Sequence, residues 1–115
     1  MKKEEIEPKL ASLMDTVPEC EGLIAADANG KVIVGQTITE LDHGKIAKEI
    51  VTILNSSGTL GKLMKKGATL DVSISYNDGF AQVTVGSEGI LIGLMGLDGR
   101  NSISLLMRNM KSIIK

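Results

Sequence analysis

Apolar residues at Ile6, Leu10, Leu13, Met14 and Val17 recur at steps of four, three, one and three, the period of an amphipathic helix. Glu4, Glu5 and Glu7 place negative charge where a helix dipole favours it. The spacing predicts a first helix over about Glu4–Val17, with Pro8 tolerated in its first turn and Pro18 ending it. Two apolar runs then flank Asp27-Ala28-Asn29-Gly30, whose Asn-Gly pair suits the positive φ angles of a tight hairpin. They predict strands over about Gly22–Asp27 and Lys31–Gln36, the first apolar on both faces as a covered central strand is. Asp42 is a good N-cap for a second helix running to about Lys66. Lys62, Lys65 and Lys66 suit its negative end, and Gly67 is the expected stop.

From Ala68 to Tyr76 the chain alternates. Leu70, Val72, Ile74 and Tyr76 point one way, and Thr69, Asp71, Ser73 and Ser75 the other. Asn77-Asp78-Gly79 and Ser87-Glu88-Gly89 are turns that delimit strands over Phe80–Gly86 and Ile90–Gly96. A third helix opens around Asp98 to Ser102, with Ile103, Leu106, Met107, Met110, Ile113 and Ile114 on its apolar face. The order α-β-β-α-β-β-β-α, with hairpin-linked strands, predicts an α/β sandwich (α+β): one antiparallel sheet with helices on both faces.

The second helix is unusual. Ile46, Ile50, Ile53, Ser57, Leu60 and Met64 form one stripe, and Ala47, Val51, Leu54, Gly58 and Gly61 form a second beside it. Together they cover about half the circumference, wider than the ~100° stripe of a surface helix. A sheet on one side and a second helix on the other would bury so wide a face. Ser57, Gly58 and Gly61 would let that helix come close. The chain has no spare helix, so a copy of the same helix across a two-fold axis is expected. Alternatively, Ser56–Gly61 breaks the helix into two pieces. The polar-faced third strand is compatible with a sheet edge that pairs with its own copy.

Composition narrows the function. The 115 residues suit a single domain spanning 1–115, and 43% of them are apolar, enough for a core. With one Phe, one Tyr and no Trp, that core must be aliphatic. A net charge of −1 and the shortage of aromatics argue against nucleic-acid binding. The longest strongly apolar run, Gly89–Leu97, is too short to span a bilayer, so no membrane insertion is expected. The charged N-terminus leads into no apolar signal core, and a cytoplasmic protein is expected.

No constellation for catalysis, metal or cofactor stands out. His43 has no Cys or second His near it and reads as a surface or capping residue. Cys20, the only cysteine, reads as a buried small apolar residue, since Glu19 and Glu21 would discourage a thiolate. Gly58-Thr-Leu-Gly-Lys62 lacks the Ser or Thr and the preceding strand of a phosphate loop. Gly93–Gly99 reads as strand exit and turn, although Arg100 at the following helix could hold an anion. The methionines fall on apolar faces as core filler, with Met64 an exception if the end of the second helix stays exposed.

Three stretches carry a family resemblance: Gly22-Leu-Ile-Ala-Ala-Asp-Ala-Asn-Gly-Lys-Val-Ile, Asn77-Asp-Gly-Phe-Ala-Gln-Val-Thr-Val-Gly86, and Gly89-Ile-Leu-Ile-Gly-Leu-Met95 followed by an aliphatic-faced helix. Over nearly its whole length the chain resembles the Roadblock/dynein light chain family, in its stand-alone prokaryotic form. The resemblance implies a profilin-like five-stranded antiparallel sheet of order 2-1-5-4-3. It places the first and third helices on one face and the second on the other. It also implies a non-enzymatic homodimer, joined through the second helix and third strand, that serves as a regulator or scaffold of a Ras-like small GTPase. The expected interface residues are Ile46, Ile50, Ile53, Leu54, Ser57, Gly58, Leu60, Gly61 and Met64, with Thr69, Asp71, Ser73 and Ser75 of the strand. The competing expectation is a monomeric profilin-like or PAS-like module whose sheet cups a small ligand. Few aromatics or polar anchors sit within its apolar strands to hold one.

Overall fold

The computed structural model describes residues 1–114. The elements are α1 (Lys3–Thr16), β1 (Cys20–Ala26), β2 (Val32–Thr37), α2 (His43–Leu63), β3 (Asp71–Tyr76), β4 (Gly79–Val85), β5 (Ile90–Gly96) and α3 (Ile103–Ile113), with a 3-10 turn over Leu97–Ser102 before α3. The sheet order is β2-β1-β5-β4-β3, and every neighbouring pair is antiparallel. The element order and strand order expected from the sequence are both present.

Several boundaries differ for local reasons. Pro8 lies in the body of α1, because the helix starts at Lys3. The carbonyl it leaves without a partner belongs to Glu4, which is exposed, so water can satisfy it. In the β1–β2 turn only Gly30 takes a positive φ, +88°. The turn is held instead by Asp27, whose Oδ1 accepts from the N–H of Asn29 (2.9 Å) and of Lys31 (3.0 Å). Those bonds hold the Asp27 carboxyl below the usual carboxylate range, the Lys31 N–H contributing most. At the other end of the crossover, α2 stops before Gly67. Lys65 takes the left-handed φ of +58°, the Lys66 N–H bonds the Gly61 carbonyl, and the Lys65 N–H bonds that of Lys62. This is a Schellman ending with lysine at the position glycine normally fills. It shortens the helix and delays β3 from Ala68 to Asp71.

The chain enters β2 at one edge of the sheet and resumes at β3 on the other edge, so α2 carries the crossover across one face. The opposite face takes α1 and α3. Ile6, Leu10, Leu13 and Val17 of the α1 segment and Leu106 and Met110 of α3 bury against Leu23, Ala25, Leu91 and Met95. Under α2, Ala47 and Ile50 bury against Ile24, Ala26, Val83, Ile90 and Ile92. Central strands β1 and β5 thus feed both cores, which accounts for their continuous apolar sequence. Each fully buried Leu or Ile contributes about 1.5–3 kcal/mol.

Candidate functional site

The second helix is continuous from His43 to Leu63; Ser56–Gly61 does not break it. Asp42 caps it, its Oδ1 accepting the Lys45 N–H at 3.0 Å. Two of its three small residues have reasons within the chain. The Ser57 hydroxyl pairs with that of Thr69 at 2.7 Å. A Cβ on Gly61 would strike the Gly67 carbonyl oxygen, which the Schellman turn folds back onto the helix. Gly58 differs: a Cβ there would meet nothing within 4 Å. It lies on an open, largely apolar groove of about 410 Å³, among whose walls are Leu54, Ala68, Val85 and Ile90.

The residues proposed for an interface fall into distinct sites. On α2, Ile50 and Gly61 are buried, Ile46, Ile53, Leu54, Ser57 and Gly58 are half-buried, and Leu60 and Met64 are exposed. Met64 is therefore the exposed exception among the methionines. Thr69 turns toward α2 through Ser57. The polar side chains of β3 go to the other face. Asp71 pairs with Lys111 of α3 at 3.2 Å, and Ser73 donates to Gln82 Oε1 beneath α3. Ser75 stands opposite Phe80, which packs on the α1–α3 core. Beside α2, β3 presents Val72, Ile74 and Tyr76.

On the α2 face, Ile74 stands beside Ala81, which stands beside Leu94, and all three are only half-buried; Tyr76 at the end of the strand is 60% exposed. On the reverse face, Gln82 and Thr84 are buried, and Gln82 Nε2 and Thr84 Oγ1 have no hydrogen-bond partner. Two polar side chains of β4 are thus buried while Tyr76 on the α2 face is exposed, the reverse of what solvation favours. One edge of β3 pairs with β4, and β3 ends the sheet, so its outer backbone edge is free. The exposure of Tyr76, Leu63 and Leu70 was missed from the sequence. Leu63 could have been found, because it falls among the polar residues of the α2 wheel.

The other chemical candidates are occupied locally. The Thr37 hydroxyl donates to the Thr39 carbonyl at 2.6 Å, so His43 Nε2, 3.0 Å from the same oxygen, is the donor of that pair. The ring packs on Gly35, where any Cβ would collide with it. Cys20 is buried, its thiol directed at the Gly22 carbonyl at 3.4 Å, and burial pushes the thiol pKa up. Arg100 lies over the Phe80 ring, 5.4 Å from its centroid. Among the described residues no His, Cys, Asp and Glu group is placed to hold a metal, and no helix is long and apolar enough to cross a membrane.

A five-stranded antiparallel sheet of order 2-1-5-4-3, with two helices on one face and one crossover helix on the other, defines a profilin-like α/β sandwich. More closely, it is the Roadblock/LC7 fold. MglB of Myxococcus xanthus matches with a TM-score of 0.85 at 17% identity, over 96% of this chain and 83% of its own. The gliding protein MglB of Thermus thermophilus matches at 0.84 and 11%, over 97% and 90%. A Roadblock/LC7 domain of Streptomyces avermitilis matches at 0.82 and 16%, over 95% and 91%. No family model and no curated protein matches the sequence. At these identities the likeness establishes the fold.

Proposed function

We propose that this chain is a non-catalytic homodimeric platform that binds a Ras-like small GTPase and regulates or scaffolds it. The observation that carries the reading is the half-covered α2 face. Val72, Ile74 and Leu94 are half-buried and Tyr76 exposed on the sheet face that α2 crosses, Ile46 and Ile53 of α2 are half-buried with Leu60 and Met64 exposed, and β3 ends the sheet. A second copy related by a two-fold axis supplies both missing parts, a helix for the apolar face and a strand for the edge. Gly58, with open space at its Cβ, admits the close approach. The GTPase enters through the Roadblock resemblance, whose members serve such partners. No arginine is singled out as a finger, and the reading is that any effect on hydrolysis works by positioning groups of the GTPase.

The test has two stages. Light scattering over a dilution series should give a dimer for the wild type and a monomer for Gly58→Lys, whose Cβ would meet no atom of the chain within 4 Å. Pull-downs of purified Ras-like GTPases, in GDP and GTP-analogue forms, should then recover a partner with the wild type and lose it with the variant. A wild type that stays monomeric at every concentration would falsify the platform reading. The groove beside Gly58 would then favour the ligand-sensing alternative, to be checked by mass spectrometry of small molecules released from the denatured protein.

A further inference from the structure

Leu63 and Leu70 are the two most exposed large apolar side chains among the described residues, at 77% and 73%. Leu63 lies outside the surface assigned above to a second copy, and Leu70 stands at its rim, two residues before Val72. Leu63 points about 100° around the helix from Met64, into the polar half of α2. Leu70 is anchored by its backbone, its carbonyl accepting the Val85 N–H at 3.0 Å, while its side chain stays out. Lys62, Lys65 and Lys66 accompany them, all exposed, and none has an ion pair among the described residues. The Schellman ending gathers these lysines round one end of the helix. Glycine would take the left-handed backbone of residue 65 without strain, yet a lysine stands there.

We propose that the C-terminal end of α2, from Lys62 to Leu70, docks the protein peripherally on an anionic lipid surface. Two exposed leucines and three exposed lysines within the segment from Lys62 to Leu70 match the chemistry of a bilayer interface. The apolar tips enter below the headgroups, the ammonium groups meet lipid phosphates, and the lysine stems lie along the boundary. A protein partner would select differently. Protein interfaces concentrate aromatic residues and arginine at their centres and deplete lysine, and the Lys62–Leu70 segment has neither aromatic nor arginine. Because the whole chain carries a net charge of −1, attraction comes from this local patch rather than from overall charge. Each lysine near an anionic surface strengthens binding by about fivefold, so three supply on the order of a hundredfold.

Vesicle flotation tests this directly, with pure phosphatidylcholine vesicles and vesicles containing about 30% phosphatidylserine. The wild type should float with the anionic vesicles, stay behind with the neutral ones, and dissociate in roughly 0.5 M salt. The triple variant Lys62→Gln, Lys65→Gly, Lys66→Gln should lose on the order of a hundredfold in vesicle affinity. The double variant Leu63→Ser, Leu70→Ser should also bind more weakly, while keeping some salt-sensitive attraction. All five positions are exposed, and an unchanged thermal midpoint and solution mass would show that fold and assembly persist. Absence of wild-type binding to anionic vesicles, or equal binding by the triple variant, overturns the proposal. Loss of a GTPase partner by the triple variant, without any vesicle binding by the wild type, would assign the patch to a protein and overturn it equally. The readout does not depend on dimerisation, since the Gly58→Lys chain retains the same patch.

Discussion

The two sides of the β3–β4 ribbon are built oppositely. Toward α3 they carry Asp71, Ser73, Gln82 and Thr84, of which Gln82 and Thr84 are buried, leaving an amide N–H donor and a hydroxyl without partners among the described residues. Toward α2 they carry Val72, Ile74, Tyr76 and Ala81, which the single crossover helix leaves partly open. The half-covered α2 side is the surface that the proposed dimer would use.

The largest expected effect separates the two sides energetically. Leu106→Ala removes a fully buried side chain from the α1–α3 core and should cost about 2–5 kcal/mol in denaturant unfolding. Ile74→Ala, made at a half-buried position, should cost less than about 1 kcal/mol in a monomeric Gly58→Lys background. Equal losses would mean that the open side is already part of a monomer core. Next, Gln82→Met removes a buried amide without a partner for its nitrogen. The Ser73 hydroxyl it releases is exposed and can turn to water. The variant should gain about 1 kcal/mol, read from the denaturation midpoint, and a loss would mean that the amide is satisfied.

The smallest effect concerns the Asp27 turn, on which α2 rests through Gly30; a Cβ there would crowd Val51 and the Ala47 carbonyl. The Asp27 carboxyl is depressed in the folded state. Its stabilisation is therefore complete above the unfolded value, about 3.9, and is lost as pH falls through the lower folded value. Asp27→Asn should lower stability at neutral pH and flatten the acid limb of the thermal-stability profile. An unchanged acid limb would exclude this carboxylate as a contributor.

Much of this architecture was legible from local patterns. The helical periods of α1, α2 and α3, the alternation in β3 and the doubly apolar β1 and β5 each reflect which side chains meet a core, and they located every element. Helix ends were less legible. Gly67 looked like the stop of α2, but the αL position falls on Lys65, where tertiary contact of residue 67 with Gly61 decides the turn. The candidate interface divided similarly. The excess width of the α2 stripe was visible in sequence, whereas the facing of β3 was not. Alternation separates two sets of residues without saying which set lies beneath α3.

The linear chain determined the elements, their order and the aliphatic character of the core, because 3.6-residue and two-residue periods are local consequences of backbone geometry. The three-dimensional structure decided what those elements face. It assigned Gly61 to a contact within the chain and left Gly58 open. It turned Asp71 and Ser73 to the α3 side and Ile74 and Tyr76 to the α2 side, with Tyr76 exposed. It also left Leu63 and Leu70 exposed. The facing of β3 depends on contacts between residues distant in sequence, and no local period encodes it.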